Sequence, residues 1–95
     1  MDVPIVLWRL CPTKAKMHAL LRQDISDSEW QDHRHKAHVV CELRKAEDGW
    51  HVALRYANTA QHFGPYRDLP AVLAAADRER VKLELEGYEH AEEAR

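Results

Sequence analysis

Two runs of alternating apolar and polar residues, separated by a short polar link, constrain this chain more than any other feature. In "AHVVCELRK", Ala37, Val39, Cys41 and Leu43 fall on one face, and His38, Val40, Glu42 and Arg44 on the other. "WHVALRYA" repeats the pattern, with Trp50, Val52, Leu54 and Tyr56 against His51, Ala53, Arg55 and Ala57. Period two is the period of a β-strand, because successive side chains point to opposite faces. The Asp48-Gly49 pair between the runs suits a two-residue type I′ turn. Such a turn sets Leu43 opposite Leu54 and Cys41 opposite Tyr56, so the apolar faces coincide. On the other face Glu42 then falls opposite Arg55, a favourable cross-strand charge pair.

The flanks extend this hairpin. "ANTAQHF" predicts a tight turn at Asn58-Thr59 and a third strand over 60–64, with Leu54 opposite Phe63 and Arg55 opposite His62. A helix follows. Asp68 is a good N-cap, Pro70 sits in the first turn, and "AVLAAADRERVKLELE" contains no breaker before Gly87 at the C′ position. Leu69, Val72, Leu73, Ala76 and Leu83 share the face expected to cover the sheet. Ala74, Val81, Leu85 and Tyr88 form a second stripe. In the N-terminal third, "PIVLWRL" is a short apolar, extended run. "TKAKMHALLRQDI" predicts a helix with Met17, Leu20, Leu21 and Ile25 on one side. "SDSE" has the capping-box spacing of Ser26 and Glu29, which opens a short helix through Trp30.

The expectation is an α+β fold: a three-stranded antiparallel meander packed by a long C-terminal helix, with an N-terminal helical segment, in the order α-β-β-β-α. The 95 residues fit one domain. It divides into an apolar and helical segment over 1–36, a sheet over 37–66, a helix over 68–87 and a frayed acidic tail over 88–95. This order is similar to that of double-stranded-RNA-binding domains. The stretch from "GWHVALRY" through "LPAVLAAA" also resembles the small arm domains of phage-type integrases. The resemblance covers 37–87 and implies a fold only. Where the RNA-binding family places a lysine cluster at the start of its last helix, this chain has Arg67 beside Asp68.

Charge argues against nucleic acid as the partner. Fourteen Lys and Arg against sixteen Asp and Glu give a net charge of −2, without the basic footprint of a nucleic-acid binder. The two cysteines, Cys11 and Cys41, form no CxxC pair. Asp2 stands where a secretory signal has basic residues, and no apolar run approaches membrane-spanning length. A cytoplasmic location without membrane contact is expected.

Chemistry-bearing clusters are few. "DHRHKAH" places His33, His35 and His38 within six residues. In extended conformation His33 and His35 share a face and His38 does not. In a helix His35 and His38 share an edge. Neither arrangement assembles three convergent donors, so no metal site is expected. On the outer sheet face Glu42, Arg55 and His62 form a row with the elements of a small-anion site. The sequence has no nucleophile elbow, P-loop, dinucleotide fingerprint or zinc-protease motif. No enzyme activity and no cofactor are expected.

The leading expectation is a small protein-binding or accessory module acting as a homodimer through Ala53, Ala57 and Ala60 of the outer face and Val81, Leu85 and Tyr88 of the helix. The alternative is a nucleic-acid-binding module using Lys14, Lys16, Arg22, Arg34 and Lys36. A third reading is a small-anion-binding protein using the Glu42, Arg55 and His62 row.

Overall fold

The computed structural model describes residues 4–91. Over them the elements run β1 (Ile5–Pro12), α1 (Lys14–Leu21), α2 (Asp27–Arg34), β2 (Val39–Ala46), β3 (Gly49–Arg55), β4 (Ala60–Tyr66), α3 (Leu69–Leu85) and β5 (Tyr88–His90). The class is α+β, as expected. The sheet, however, is not a three-stranded meander. Five described strands pair antiparallel in the order β4-β3-β2-β1-β5.

Both added strands come from segments with weak patterns. "PIVLWRL" becomes β1, which sets Trp8 opposite Cys41 and Leu10 opposite Val39. The stretch expected to fray supplies β5: Tyr88 pairs with Pro12 and Glu89 with Cys11. Residues 92–95 of that expected tail lie outside the described residues. A strand this short is held by its neighbours. Gly87 turns the chain at φ +105°, and its carbonyl accepts a hydrogen bond from the Thr13 N–H at 2.9 Å.

The hairpin registers differ from expectation by two residues. Leu43 lies opposite Val52 and Cys41 opposite Leu54, and the turn is Glu47-Asp48. In the next pair Val52 faces Phe63 and Ala53 faces His62, because the connection spans Tyr56 to Thr59, closed by the Tyr56 N–H on the Thr59 carbonyl at 2.8 Å. A shift of two leaves every side chain on its face, so the alternation of hydrophobicity cannot distinguish these registers. Gly49 opens β3 at φ +135°. A Cβ there would lie 2.6 Å from the Tyr66 carbonyl oxygen, so glycine is needed for the close passage of β4.

α3 covers one sheet face. Val72 and Ala76 pack on Cys41, Leu43, Val52 and Leu54, and Leu83 packs on Leu10 and Val39. Asp68 caps the helix by accepting the Ala71 N–H. The buried stripe is Val72, Ala75, Ala76 and Leu83; Leu69 and Leu73, expected inside, are exposed. The helix is therefore rotated toward Ala75, whose small side chain permits closer approach to the sheet.

The N-terminal helices are shorter and more separate than the apolar spacing suggests. α1 ends at Leu21, with Arg22 in the left-handed region at φ +57°. Met17 and Ile25 are buried, whereas Leu20 and Leu21 face solvent. Ser26 caps α2 as expected: its hydroxyl accepts the Glu29 N–H and donates to the Glu29 carboxylate. α2 continues past Trp30 to Arg34. Its Trp30 indole N–H donates to the Pro12 carbonyl at 3.1 Å, and Arg34 donates to the Cys11 Sγ at 3.0 Å. Cys11 follows Leu10 and so points away from α3. α2 thus lies over the opposite face of the sheet, at its β1 end.

Candidate functional site

The outer face carries two cross-strand rows. One runs Val6, Glu42, Ala53, His62 and the next Arg9, Val40, Arg55, Ala60. The expected row of Glu42, Arg55 and His62 is therefore divided between them. Arg55 reaches diagonally to pair with Glu42, and His62 takes no part in that pair.

The expected interface residues do not form one surface. Ala53 is only 3% exposed, a small side chain sunk between larger neighbours on a central strand, and is closed to another chain. Tyr88 is half-buried against Leu83 and Leu10. Burial, followed by the nearby Glu86 carboxylate, pushes its phenol above the usual range. Ala57 and Ala60 are exposed at the β3–β4 end of the sheet. Val81 and Leu85 are exposed on α3, and Leu85 is the barest large apolar residue described, at 84%.

The basic residues of the N-terminal third are dispersed and partly engaged. Lys14 pairs with Asp27, holding that carboxyl below its usual range. Lys16 lies over the Tyr88 ring at 5.9 Å. Arg34 stacks on Trp30 at 4.5 Å and approaches Glu89 at 3.9 Å. Arg22 caps α1, and Lys36 is exposed beyond α2. No continuous basic face results.

The histidine stretch is half helical. His33 is in α2, His35 is its C-cap, and the rings of His35 and His38 lie 5.8 Å apart. Among the described residues no three His, Cys, Asp or Glu side chains come together in a group fit to hold a metal ion. Burial, then the charges of His35, Arg34 and Arg9, holds His38 below its usual range. No described helix is long and apolar enough to cross a membrane.

Two features were not anticipated from the sequence, and both lie at sheet edges. β5 pairs with β1 only over Leu10–Pro12. Among the described residues nothing pairs with the far side of Ile5–Trp8. Ile5 is 59% exposed there, and Leu69 and Leu73 of α3 are also exposed. At 100° per residue, these two leucines occupy the helix flank opposite Arg78 and Ala75. Arg78 and Ala75 face β4, so Leu69 and Leu73 face the β1 side.

At the other edge, a groove runs between α3 and β4. It widens into a pocket of about 180 Å³ lined by Val52, Phe63, Tyr66, Ala75 and Arg78. A second, of about 210 Å³, is lined by Leu54, Tyr56, Gln61, Leu83 and Glu86. Glu79 and Lys82 border both pockets and pair with each other at 3.1 Å.

Comparison of the chain with protein-family models, curated protein sequences and solved structures gives no match.

Proposed function

We propose that this chain is a small protein-binding or accessory module that acts as a homodimer. The observation that carries the reading is the exposure of large apolar side chains, Ile5 on β1 and Leu69 and Leu73 on one flank of α3. Pro4 through Trp8 contain no charge. An uncharged strand segment with exposed apolar side chains favours association. The register break between Val6 and Trp8 twists the strand, which favours packing of side chains over a long run of new backbone pairs. A twofold contact brings the same patch together from both copies. Burying these apolar groups yields about 25 cal/mol per Å², against an association cost of about 4–15 kcal/mol, so a weak dimer that dissociates on dilution is expected.

Size-exclusion chromatography with light scattering tests the reading. The full chain should run as a dimer at high concentration and dissociate on dilution. Leu73→Glu and Ile5→Glu should shift it to monomer, and Leu85→Glu, on the solvent side of α3, should not. A monomer at every concentration sinks the proposal.

A further inference from the structure

We propose that the groove between α3 and β4 takes an extended peptide segment of a partner protein, added to the sheet beside β4. The inference rests on the protein-binding reading but concerns the opposite edge from the dimer contact.

β4 is the terminal strand on its side of the sheet, so one edge of it has no described partner. Its backbone polarity follows from the hairpin. The Tyr56 N–H bonds to the Thr59 carbonyl. Hydrogen-bonded pairs alternate with non-bonded ones in an antiparallel ladder. The Leu54–Gln61 and Val52–Phe63 pairs are then the bonded ones. The backbone groups of Ala60 and His62 point outward, available to a new strand.

The pockets match the spacing of such a strand. One centres on the Val52–Phe63 pair and the other includes Leu54 and Gln61, its neighbours two residues along the same ladder. Two residues of strand span about 6.8 Å and return the side chain to the same face. An added strand therefore offers side chains i and i+2 to the two pockets. Each pocket exceeds the ~150 Å³ of a cavity that takes a benzene ring, so each accommodates a branched or aromatic side chain.

The rim gives the peptide a polarity. Glu79 and Lys82 neutralise each other at the centre. Arg78 borders the pocket beside Phe63 and Tyr66, and Glu86 borders the pocket beside Tyr56 and Gln61. Neither has an ion-pair partner among the described residues. A strand antiparallel to β4 begins at the Tyr66 end. Its N-terminal flank is then favoured when acidic and its C-terminal flank when basic. Main-chain bonds supply affinity and alternate side chains supply specificity in this mode of recognition.

The test is a display selection of random peptides on the full chain. Synthetic copies of enriched sequences are then titrated by NMR. Enriched peptides should share apolar residues at i and i+2 with an acidic N-terminal flank. Shift changes should centre on residues 60–66 of β4 and on Ala75, Arg78 and Lys82. His62→Pro removes the outward N–H of an edge strand, where proline is tolerated, and should weaken binding at least about tenfold while circular dichroism stays unchanged. Arg78→Glu should abolish the preference for acidic flanks. Leu73→Glu should leave peptide affinity within twofold, which separates this site from the dimer contact. The proposal is overturned if no sequence is enriched or if shifts centre on Ile5, Leu69 and Leu73. Affinity unchanged by His62→Pro also overturns it.

Discussion

Arg55 and Glu42 form an ion pair across β3 and β2, although neither is the other's direct partner: Glu42 lies opposite Ala53 and Arg55 opposite Val40. Diagonal neighbours on one sheet face are within reach of a long side chain. Arg55 is 53% exposed and Glu42 13%, so water screens the pair from one side. A double-mutant cycle should return a coupling of about 0.5–1 kcal/mol. Arg55→Ala should cost more than Glu42→Gln, because it leaves a carboxylate partly enclosed without its cation. Urea unfolding at low and high salt checks both statements. Coupling indistinguishable from zero at low salt would show the pair to be incidental.

That pair also marks how far the sequence could be read. Alternation around Cys41 and Leu54 identified the right faces, and the chemistry of Asp68, Ser26 and Gly87 identified the right helix ends. Register was not legible, because a shift of two residues preserves every face. β1 was legible only as an apolar run. Its Val6–Trp8 irregularity breaks the alternation that would have marked it. β5 is three residues long and owes its strand conformation to pairing with Leu10–Pro12, a long-range contact without local signature. The α3–β4 groove depends on the rotation of α3 about its axis; apolar spacing put Leu73 on the buried face, where the fold instead buries Ala75.

Gly49 should not tolerate a side chain. At φ +135° it occupies a region that residues with a Cβ avoid, and that Cβ would meet the Tyr66 carbonyl at 2.6 Å. Backbone cannot yield as a flexible side chain can. Gly49→Val should destabilise the fold by at least about 2 kcal/mol, with loss of the Trp50–Tyr66 pairing visible as faster amide exchange at the end of β4. A cost below about 0.5 kcal/mol would contradict the close passage of β4.

Cys41 should be inert in the folded chain. It is fully buried under α3, and burial, followed by the Glu42 and Glu79 charges, pushes its thiol up to about 12 from the usual 9.0. The thiolate is the nucleophile, so disulfide-exchange reagents at pH 8 should label Cys41 only at the rate of unfolding. The same shift predicts alkaline instability. The folded state prefers the protonated thiol, so this contribution is complete below pH 9 and is lost as pH rises toward 12. Tyr56 and Tyr88, both raised chiefly by burial, act in the same direction. Melting temperature should therefore fall steadily above pH 9, and Cys41→Ala should flatten part of that fall. Rapid native labelling of Cys41 would contradict its enclosure.

His38 carries the corresponding prediction on the acid side. It precedes Val39 at the start of β2, on the face to which α2 docks. Its neighbours there are cationic: His35 at the end of α2 with its ring centre 5.8 Å away, Arg34 one position earlier, and Arg9 from β1. Burial comes first and these charges second in disfavouring the imidazolium, so the folded state prefers neutral His38. The unfolded chain, with a pKa near 6.5, binds the proton more readily. Stability from this preference is present above pH 6.5 and is lost as pH falls through the lowered folded value. His38→Gln removes the titration and keeps a polar side chain of similar reach. It should leave stability at pH 8 nearly unchanged and make the decline between pH 7 and 5 shallower. NMR titration of the ring protons should place the midpoint of His38 below 6.5. A midpoint at or above that value would show that α2 and β1 do not crowd the ring with charge as the fold requires.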